Sequence, residues 1–211
     1  MTPPPPAPSA RAAAAELCRI GAVQVNAETP FRLTSGRLSP VYVDCRRIIS
    51  FPESRRILLD LAETLLAEVS FDMIAGGESA GIPFAAMLAE RFNLPMVYVR
   101  KRAKEFGKGR RIEGQIRAGA KTLLVEDMMT DGGSKKLFID ALREEEMRCE
   151  DLFVFFRYGS FPKGEAELRA EGVNIHALAC WEDIFAVCDL DDGAVNTARE
   201  FLANPDGWSA E

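Results

Sequence analysis

Residues 122–138 read TLLVEDMMTDGGSKKLF. Two adjacent carboxylates, Glu126 and Asp127, close an apolar run, and a Thr, an Asp, two glycines and a Ser follow before a helical pattern begins. A buried strand has no reason to end in two acids unless they act on something beyond the sheet edge, since a buried carboxylate without a partner is costly. Both acids are therefore expected to face a ligand. Directly after them, Thr130, Asp131, Gly132, Gly133 and Ser134 offer backbone N–H groups in a tight turn that opens a helix, and the two glycines permit positive φ and close approach. Such a turn cradles phosphate. Carboxylates suited to hydroxyl groups beside donors suited to phosphate match a phosphorylated sugar. A plain strand-to-helix turn in which Asp127 or Asp131 only caps the helix accounts for one acid, but not for two acids followed by two glycines.

A second constellation is basic. Residues 99–114 read VRKRAKEFGKGRRIEG, and residues 100–117 carry eight Lys or Arg against two Glu, a net +6 within a chain of net −6. That is a focused anion site. Gly107 and Gly109 would let it hinge, which suits a lid that closes over a pyrophosphate and excludes water. Taken alone, the loop also fits a nucleic-acid contact or a solvated surface turn; beside a phosphate cradle both readings weaken. A third stretch, GGESAGIPFAA at residues 76–86, is by itself a Gly-rich strand-to-helix turn of a common structural kind.

The elements that must position these residues alternate. Residues 55–69 carry apolar side chains at 57, 58, 61, 65, 66 and 69, which predicts a helix, and 71–75 form a short apolar run that predicts a buried strand. The pattern continues as helix 82–92, strand 95–99, strand 121–126, helix 134–146, strand 152–157, helix 163–171, strand 174–179 and a short helix 181–187. Regular βα order with short apolar strands predicts an α/β fold, a parallel sheet flanked by helices on both faces, with ligands at the carboxyl ends of the strands. Residues 1–11, which include TPPPPAPSA, are expected to be a flexible tail, with a helix starting near Ala12. Residues 12–211 read as a single domain, with a hood at about 12–50 and a C-terminal helix near 191–203 as additions.

Composition limits the function classes. The chain of 211 residues is 47% apolar and 27% charged, as ordinary globular proteins are. A net charge of −6 and a pI near 5.1 argue against a general binder of nucleic acid or acidic membranes. There is no secretion-signal pattern and no apolar run of bilayer-spanning length, so a cytoplasmic protein is expected. Five cysteines (Cys18, Cys45, Cys149, Cys180 and Cys188), with no Cys-x-x-Cys pair and the solitary His176, read as reduced thiols rather than a disulfide frame or zinc site. His176, in the run VNIHALAC, reads as a core or strand-end residue, and Trp181 with Phe153, Phe155 and Phe156 as packing.

LLVEDMMTDGGS, residues 123–134, resembles the phosphoribosyl pyrophosphate (PRPP) binding signature of the type I phosphoribosyltransferases. The resemblance implies that Glu126 and Asp127 contact the ribose hydroxyls, that Thr130, Asp131, Gly132, Gly133 and Ser134 hold the 5-phosphate, and that Met128 and Met129 belong to the same PRPP site. FRLTSGRLSPVYVDCRRI, residues 31–48, resembles the N-terminal signature of the orotate-using members, with Ser35, Gly36, Arg37, Ser39 and Pro40 ahead of a base-lining segment. It implies orotate contacts by Tyr42, Val43, Thr130 and Arg157. Residues 99–114 resemble the flexible loop of the same enzymes, which implies pyrophosphate contacts by Arg100, Lys101 and Lys104, with Lys104 and Asp127 as the catalytic residues. Residues 76–86 fit the family's pyrophosphate-contacting loop.

The implied reaction is transfer of the phosphoribosyl group from magnesium-bound PRPP to orotate, giving orotidine 5-monophosphate and pyrophosphate. Mg2+ would be held mainly by PRPP, with Asp127 reached through water, and a homodimer would share the 100–114 loop across its interface. Departures from the family pattern are Glu126 where Asp is commoner, Phe106 in place of a His, Thr34 and Ala80 where some members carry Lys, and YGSFP after Arg157. Arg157 is accordingly an orotate contact or a strand-end charge. A phosphoribosyltransferase for another base would lack the Ser-Gly-Arg-x-Ser-Pro segment. A PRPP-binding regulator without turnover would be expected to carry a basic helix-turn-helix extension, and the Pro-rich N-terminus shows none.

Overall fold

The structure, a computed structural model, describes residues 8–26, 28–33, 36–103 and 110–209. From the N-terminus run α1 (Pro8–Arg19), β1 (Val23–Val25), β2 (Phe31–Arg32), β3 (Leu38–Ser39), β4 (Val41–Val43), a 3-10 helix (Cys45–Ser50) and α2 (Pro52–Leu66). There follow β5 (Met73–Gly77), α3 (Gly81–Phe92), β6 (Met96–Val99), β7 (Ile112–Glu113), β8 (Lys121–Met129) and α4 (Gly133–Glu144). The chain ends with β9 (Arg148–Arg157), α5 (Pro162–Ala170), β10 (Asn174–Cys180), α6 (Trp181–Val187) and α7 (Asp192–Ala203).

Six strands form the central sheet in the order β10-β9-β8-β5-β6-β7. All neighbours are parallel except β7, which runs antiparallel to β6 at the edge. The sheet is thus mostly parallel, as expected, with an antiparallel edge strand that the apolar pattern did not announce because it is two residues long. Helices cover both faces. On one, Leu17 of α1, Leu58 of α2 and Phe84 of α3 pack with Phe153, Phe155 and Trp181; on the other, Phe138 and Leu142 of α4 and Leu168 of α5 pack with Leu124 and Val154. Phe84 and Phe155 meet at 4.6 Å between centroids, and Phe156 meets Trp181 edge-on at 5.6 Å, so these aromatics are core. Fully burying each such ring stabilises the fold by roughly 1.5–3 kcal/mol.

The N-terminal region forms two antiparallel pairs, β1 with β4 and β2 with β3, ahead of the sheet. Helix α1 begins at Pro8 rather than near Ala12. Proline in a first helical turn forfeits only an N–H that would lack a partner there in any case, and the run Ala13, Ala14 and Leu17 is fully buried. The expectation of five reduced thiols is also corrected. Cys18 and Cys188, 170 residues apart in sequence, are joined as a disulfide with a Cα separation of 6.1 Å, while Cys45, Cys149 and Cys180 are free. No local spacing motif signals this pair, because it arises only when α1 packs beside α6. His176 takes the strand-end role, its Nε2 lying 2.8 Å from Oδ1 of Asp151.

Candidate active site

The carboxyl end of the sheet gathers the sequence-predicted residues. Strand β8, between β5 and β9, delivers Glu126 and Asp127, but it does not end on them: pairing with β9 continues to Met129, opposite Arg157. Successive side chains of a strand point to opposite faces, so the two acids diverge. Glu126 turns beneath α4, where its Oε2 pairs with Nζ of Lys135 at 2.8 Å, and the two residues are only 5% and 7% exposed. Asp127 is half-buried, its Oδ1 accepts the Met128 N–H at 2.9 Å, and its charge is felt by Arg46 and Cys45 of the 3-10 segment. Of the two acids expected to face a ligand, Glu126 thus pairs one carboxylate oxygen with Lys135, and Asp127 is half-buried at the strand end.

Burial pushes both carboxyls above their ordinary values, and the Lys135 ammonium is the strongest opposing influence on each. Space for the Glu126 carboxylate is cleared by two glycines of the 76–86 stretch. A Cβ on Gly81 would lie 2.5 Å from Oε1, and one on Gly77 would strike the same oxygen and lie 2.6 Å from Phe138. Oε1 is buried and makes no hydrogen bond among the described residues. This Gly-rich turn is thus shaped around a side chain of the neighbouring strand.

The turn after β8 is tied down from three sides. Met129 is buried and its carbonyl accepts the Tyr158 N–H at 2.9 Å; Met128 is half-buried. Gly132 adopts φ +81°, which an L side chain rarely tolerates, and its carbonyl accepts the N–H groups of Lys135 and Lys136 at 3.0 Å. Asp131 accepts the Gly133 N–H at 3.1 Å across the turn, while the N-cap position itself is Gly132. Thr130 and Ser134 are half-buried on either side of this bend. The arrangement presents backbone N–H groups at the positive end of α4, which suits a phosphate.

The basic segment leaves β6. Lys101 donates its N–H to Oε2 of Glu78 at 2.7 Å, tying this segment to the 76–86 turn, and Arg100 donates its N–H to the Arg111 carbonyl at 2.8 Å. The Arg111 guanidinium donates to the carbonyls of Arg100 at 3.2 Å and Leu137 at 3.1 Å, anchoring the returning arm on α4. Lys104, Phe106, Gly107 and Gly109 lie outside the described residues, as do Thr34 and Ser35.

On the opposite side of the strand end, Tyr42 stacks on Phe31 at 5.3 Å and its hydroxyl accepts from Arg46 at 2.9 Å. Val43 is buried and donates its N–H to the Tyr158 hydroxyl at 3.2 Å. Arg157 ends β9 with its guanidinium held by Glu165 of α5 at 2.7 Å. Arg37 pairs with Asp206 and lies over the Phe161 ring at 5.3 Å.

Sequence reasoning missed Lys135, Arg46, Glu165 and Gly164. One signal was available: Lys135 and Lys136 stand in the first turn of α4, where the helix dipole disfavours cations.

The chain matches the phosphoribosyl transferase domain model over residues 49–180. It is 47% identical to the orotate phosphoribosyltransferase of Cereibacter sphaeroides, over 97% of this chain and 92% of that protein. It is 46% identical to the enzyme of the same name from Dinoroseobacter shibae, over 97% and 94%. Among solved structures, orotate phosphoribosyltransferase from Aeropyrum pernix is similar with a TM-score of 0.71 and 30% identity, over 82% of this chain and 96% of that one.

Proposed function

The chain belongs to the phosphoribosyl transferase domain family, and on that premise we propose that it is an orotate phosphoribosyltransferase. It transfers the phosphoribosyl group of PRPP to orotate, giving orotidine 5-monophosphate and pyrophosphate for pyrimidine biosynthesis. The observation that carries this reading is the acid pair at the carboxyl end of β8 running into the Gly132–Gly133 turn over the N-terminus of α4.

In this mechanism the turn binds the 5-phosphate and Asp127 accepts from a ribose hydroxyl, fixing the sugar. Orotate lies between Tyr42, Val43, Thr130 and Arg157. A ring nitrogen of orotate, giving up its proton to solvent, attacks the anomeric carbon as the bond to pyrophosphate breaks, with inversion and through an oxocarbenium-like transition state of the kind met in glycoside cleavage. Negative charge grows on the leaving pyrophosphate, and Lys104 with Arg100 and Lys101 neutralises it. Fixed charges aimed at a developing charge usually contribute most to catalysis.

Asp127 is a hard oxygen donor and is the residue that would help hold a Mg2+ brought in by PRPP. When bound, that ion supplies Lewis-acid neutralisation and a template for the phosphates. A homodimer whose 100–114 loop crosses into the neighbouring subunit, working in the cytoplasm, completes the reading. Among the described residues no helix is long and apolar enough to cross a membrane.

Loss of orotate absorbance in the presence of PRPP and Mg2+ tests the activity. Turnover specific to orotate that collapses in Lys104→Ala is the expected result. Turnover of uracil or hypoxanthine instead, or PRPP binding without turnover of any base, overturns it.

A further inference from the structure

We propose that Lys135 is a positioning residue of the PRPP site, one that locks the ribose edge, the phosphate turn and the 76–86 turn into one unit and aims the Ser134 hydroxyl at the 5-phosphate. The inference rests on the reading of this site as a PRPP site. Three observations carry it.

Lys135 is placed against two local preferences. It stands in the first turn of α4, and it is 7% exposed, although lysines are almost never buried unless paired. A cation in that position is disfavoured by the helix dipole and by desolvation together. Its retention there requires a partner, and Glu126 Oε2 at 2.8 Å supplies one from the adjacent strand.

The partner is reached by design of the surrounding backbone. The Glu126 carboxylate fills a niche that only glycine at 77 and 81 leaves open, so the ion pair links β8 and α4 to the turn between β5 and α3. Glutamate rather than aspartate at 126 supplies the extra methylene of reach. The departure from the family pattern at 126 and the buried lysine at 135 are thereby one feature.

The third observation concerns Ser134. Nζ of Lys135 lies 3.2 Å from its Oγ. An ammonium group only donates, so the Ser134 oxygen must accept from it, and the serine's own hydrogen is turned away from the lysine. Ser134 therefore becomes an outward donor in the turn that receives phosphate. Lys135 acts through Ser134 and Glu126 rather than on the reacting atoms.

The test is calorimetric binding of ribose 5-phosphate to Lys135→Met, Ser134→Ala, the Lys135→Met/Ser134→Ala double variant, and Lys135→Met/Glu126→Gln, each with its melting temperature. Lys135→Met is expected to weaken binding roughly ten- to a hundred-fold, the range of one charge-assisted hydrogen bond. Ser134→Ala is expected to weaken wild type strongly but to add little in the Lys135→Met background, since coupled partners are not additive. Lys135→Met/Glu126→Gln, which removes both charges of the Glu126–Lys135 pair, should recover much of the melting temperature without recovering affinity.

Unchanged affinity in Lys135→Met, additive effects of positions 134 and 135, or recovery of affinity along with stability would each overturn the proposal. Wild-type protein that binds no ribose 5-phosphate would instead overturn the PRPP-site reading. Wild type that binds it but turns over a different base would leave the Lys135 inference standing.

Discussion

Gly164, in the first turn of α5, lies so close to the carbonyl oxygen of Asp131 that a β-carbon on it would overlap that atom. The phosphate turn therefore rests directly on the backbone of α5, and a β-carbon on Gly132 would likewise lie 3.3 Å from Leu168 and 3.5 Å from the Gly164 carbonyl oxygen. Gly164→Ala must push the turn and the helix apart. We expect it to destabilise the protein by about 1–3 kcal/mol, as overpacking does, and to raise the KM for PRPP while leaving that for orotate nearly unchanged. Steady-state kinetics with each substrate varied in turn, alongside thermal melting, checks both; an equal rise in the two constants would count against the turn as the affected part.

Asp127 sits in a balance that function and stability pull in opposite directions. Burial raises its carboxyl above the ordinary range, and Lys135, the Met128 N–H and Arg46 only partly offset it. A carboxyl whose folded value lies above its unfolded one takes up its proton more readily in the folded state. Its ionisation thus detracts from stability as pH rises through the folded value, and the penalty is absent below the unfolded one. Asp127→Asn is expected to melt above wild type at pH 8, with the gap closing as the pH is lowered. Its turnover should fall roughly a hundred-fold or more, through loss of a charge at the reacting sugar. Melting curves across pH decide the sign, and a gap that widens on acidification would refute the assignment.

Much of this site was legible from sequence because its parts are local. The pattern placing a helix at 82–92 is met by α3 at Gly81–Phe92, and the Gly132–Gly133 turn does open α4. The misreadings share a physical origin in contacts made at a distance. Two acids look like the end of a buried strand, yet β8 continues because β9 supplies partners out to Arg157. Strand periodicity alone would have sent Glu126 and Asp127 to opposite faces, but nothing local could say that a lysine nine residues on would be waiting for Glu126. Gly164 and the Cys18–Cys188 pair were invisible for the same reason, as each depends on which helix packs against which element.

Arg157 at the end of β9 is held by a carboxylate of α5. Glu165 binds its guanidinium at 2.7 Å and also receives Arg169 at 2.9 Å, so one α5 carboxylate fixes the orientation of the arginine at the end of β9. If Arg157 meets the orotate carboxylate, Arg157→Met should raise the KM for orotate by roughly ten-fold or more, the range for a lost charged hydrogen bond. Glu165→Gln should give a smaller effect of the same kind, since it loosens the arginine without removing it. The KM for PRPP should stay within about two-fold in both, inside the range of small surface effects. A strand-end charge without a substrate would move neither constant, and initial rates over an orotate series separate the two cases.

The proposed sharing of the loop between subunits has a direct test in mixed variants. Lys101, at its start, is held by Glu78, and Arg111, at its return, is held by the Leu137 carbonyl of α4, so both ends are fastened beside the phosphate turn of their own subunit. Lys104→Ala and Asp127→Asn each remove one part of the proposed machinery. If Lys104 crosses to the neighbouring subunit, a mixed dimer of the two variants holds one site lacking both groups and one site that is intact. Mixing the inactive proteins under conditions that let subunits exchange should then restore up to about a quarter of wild-type activity, since about half the dimers are mixed and half their sites are complete. If instead Lys104 serves its own subunit, every site in the mixture lacks one group and activity stays at the level of the separate variants. A titration of one variant into the other, followed by orotate consumption, distinguishes the two outcomes, and sedimentation of the same mixtures shows whether dimers are present to exchange.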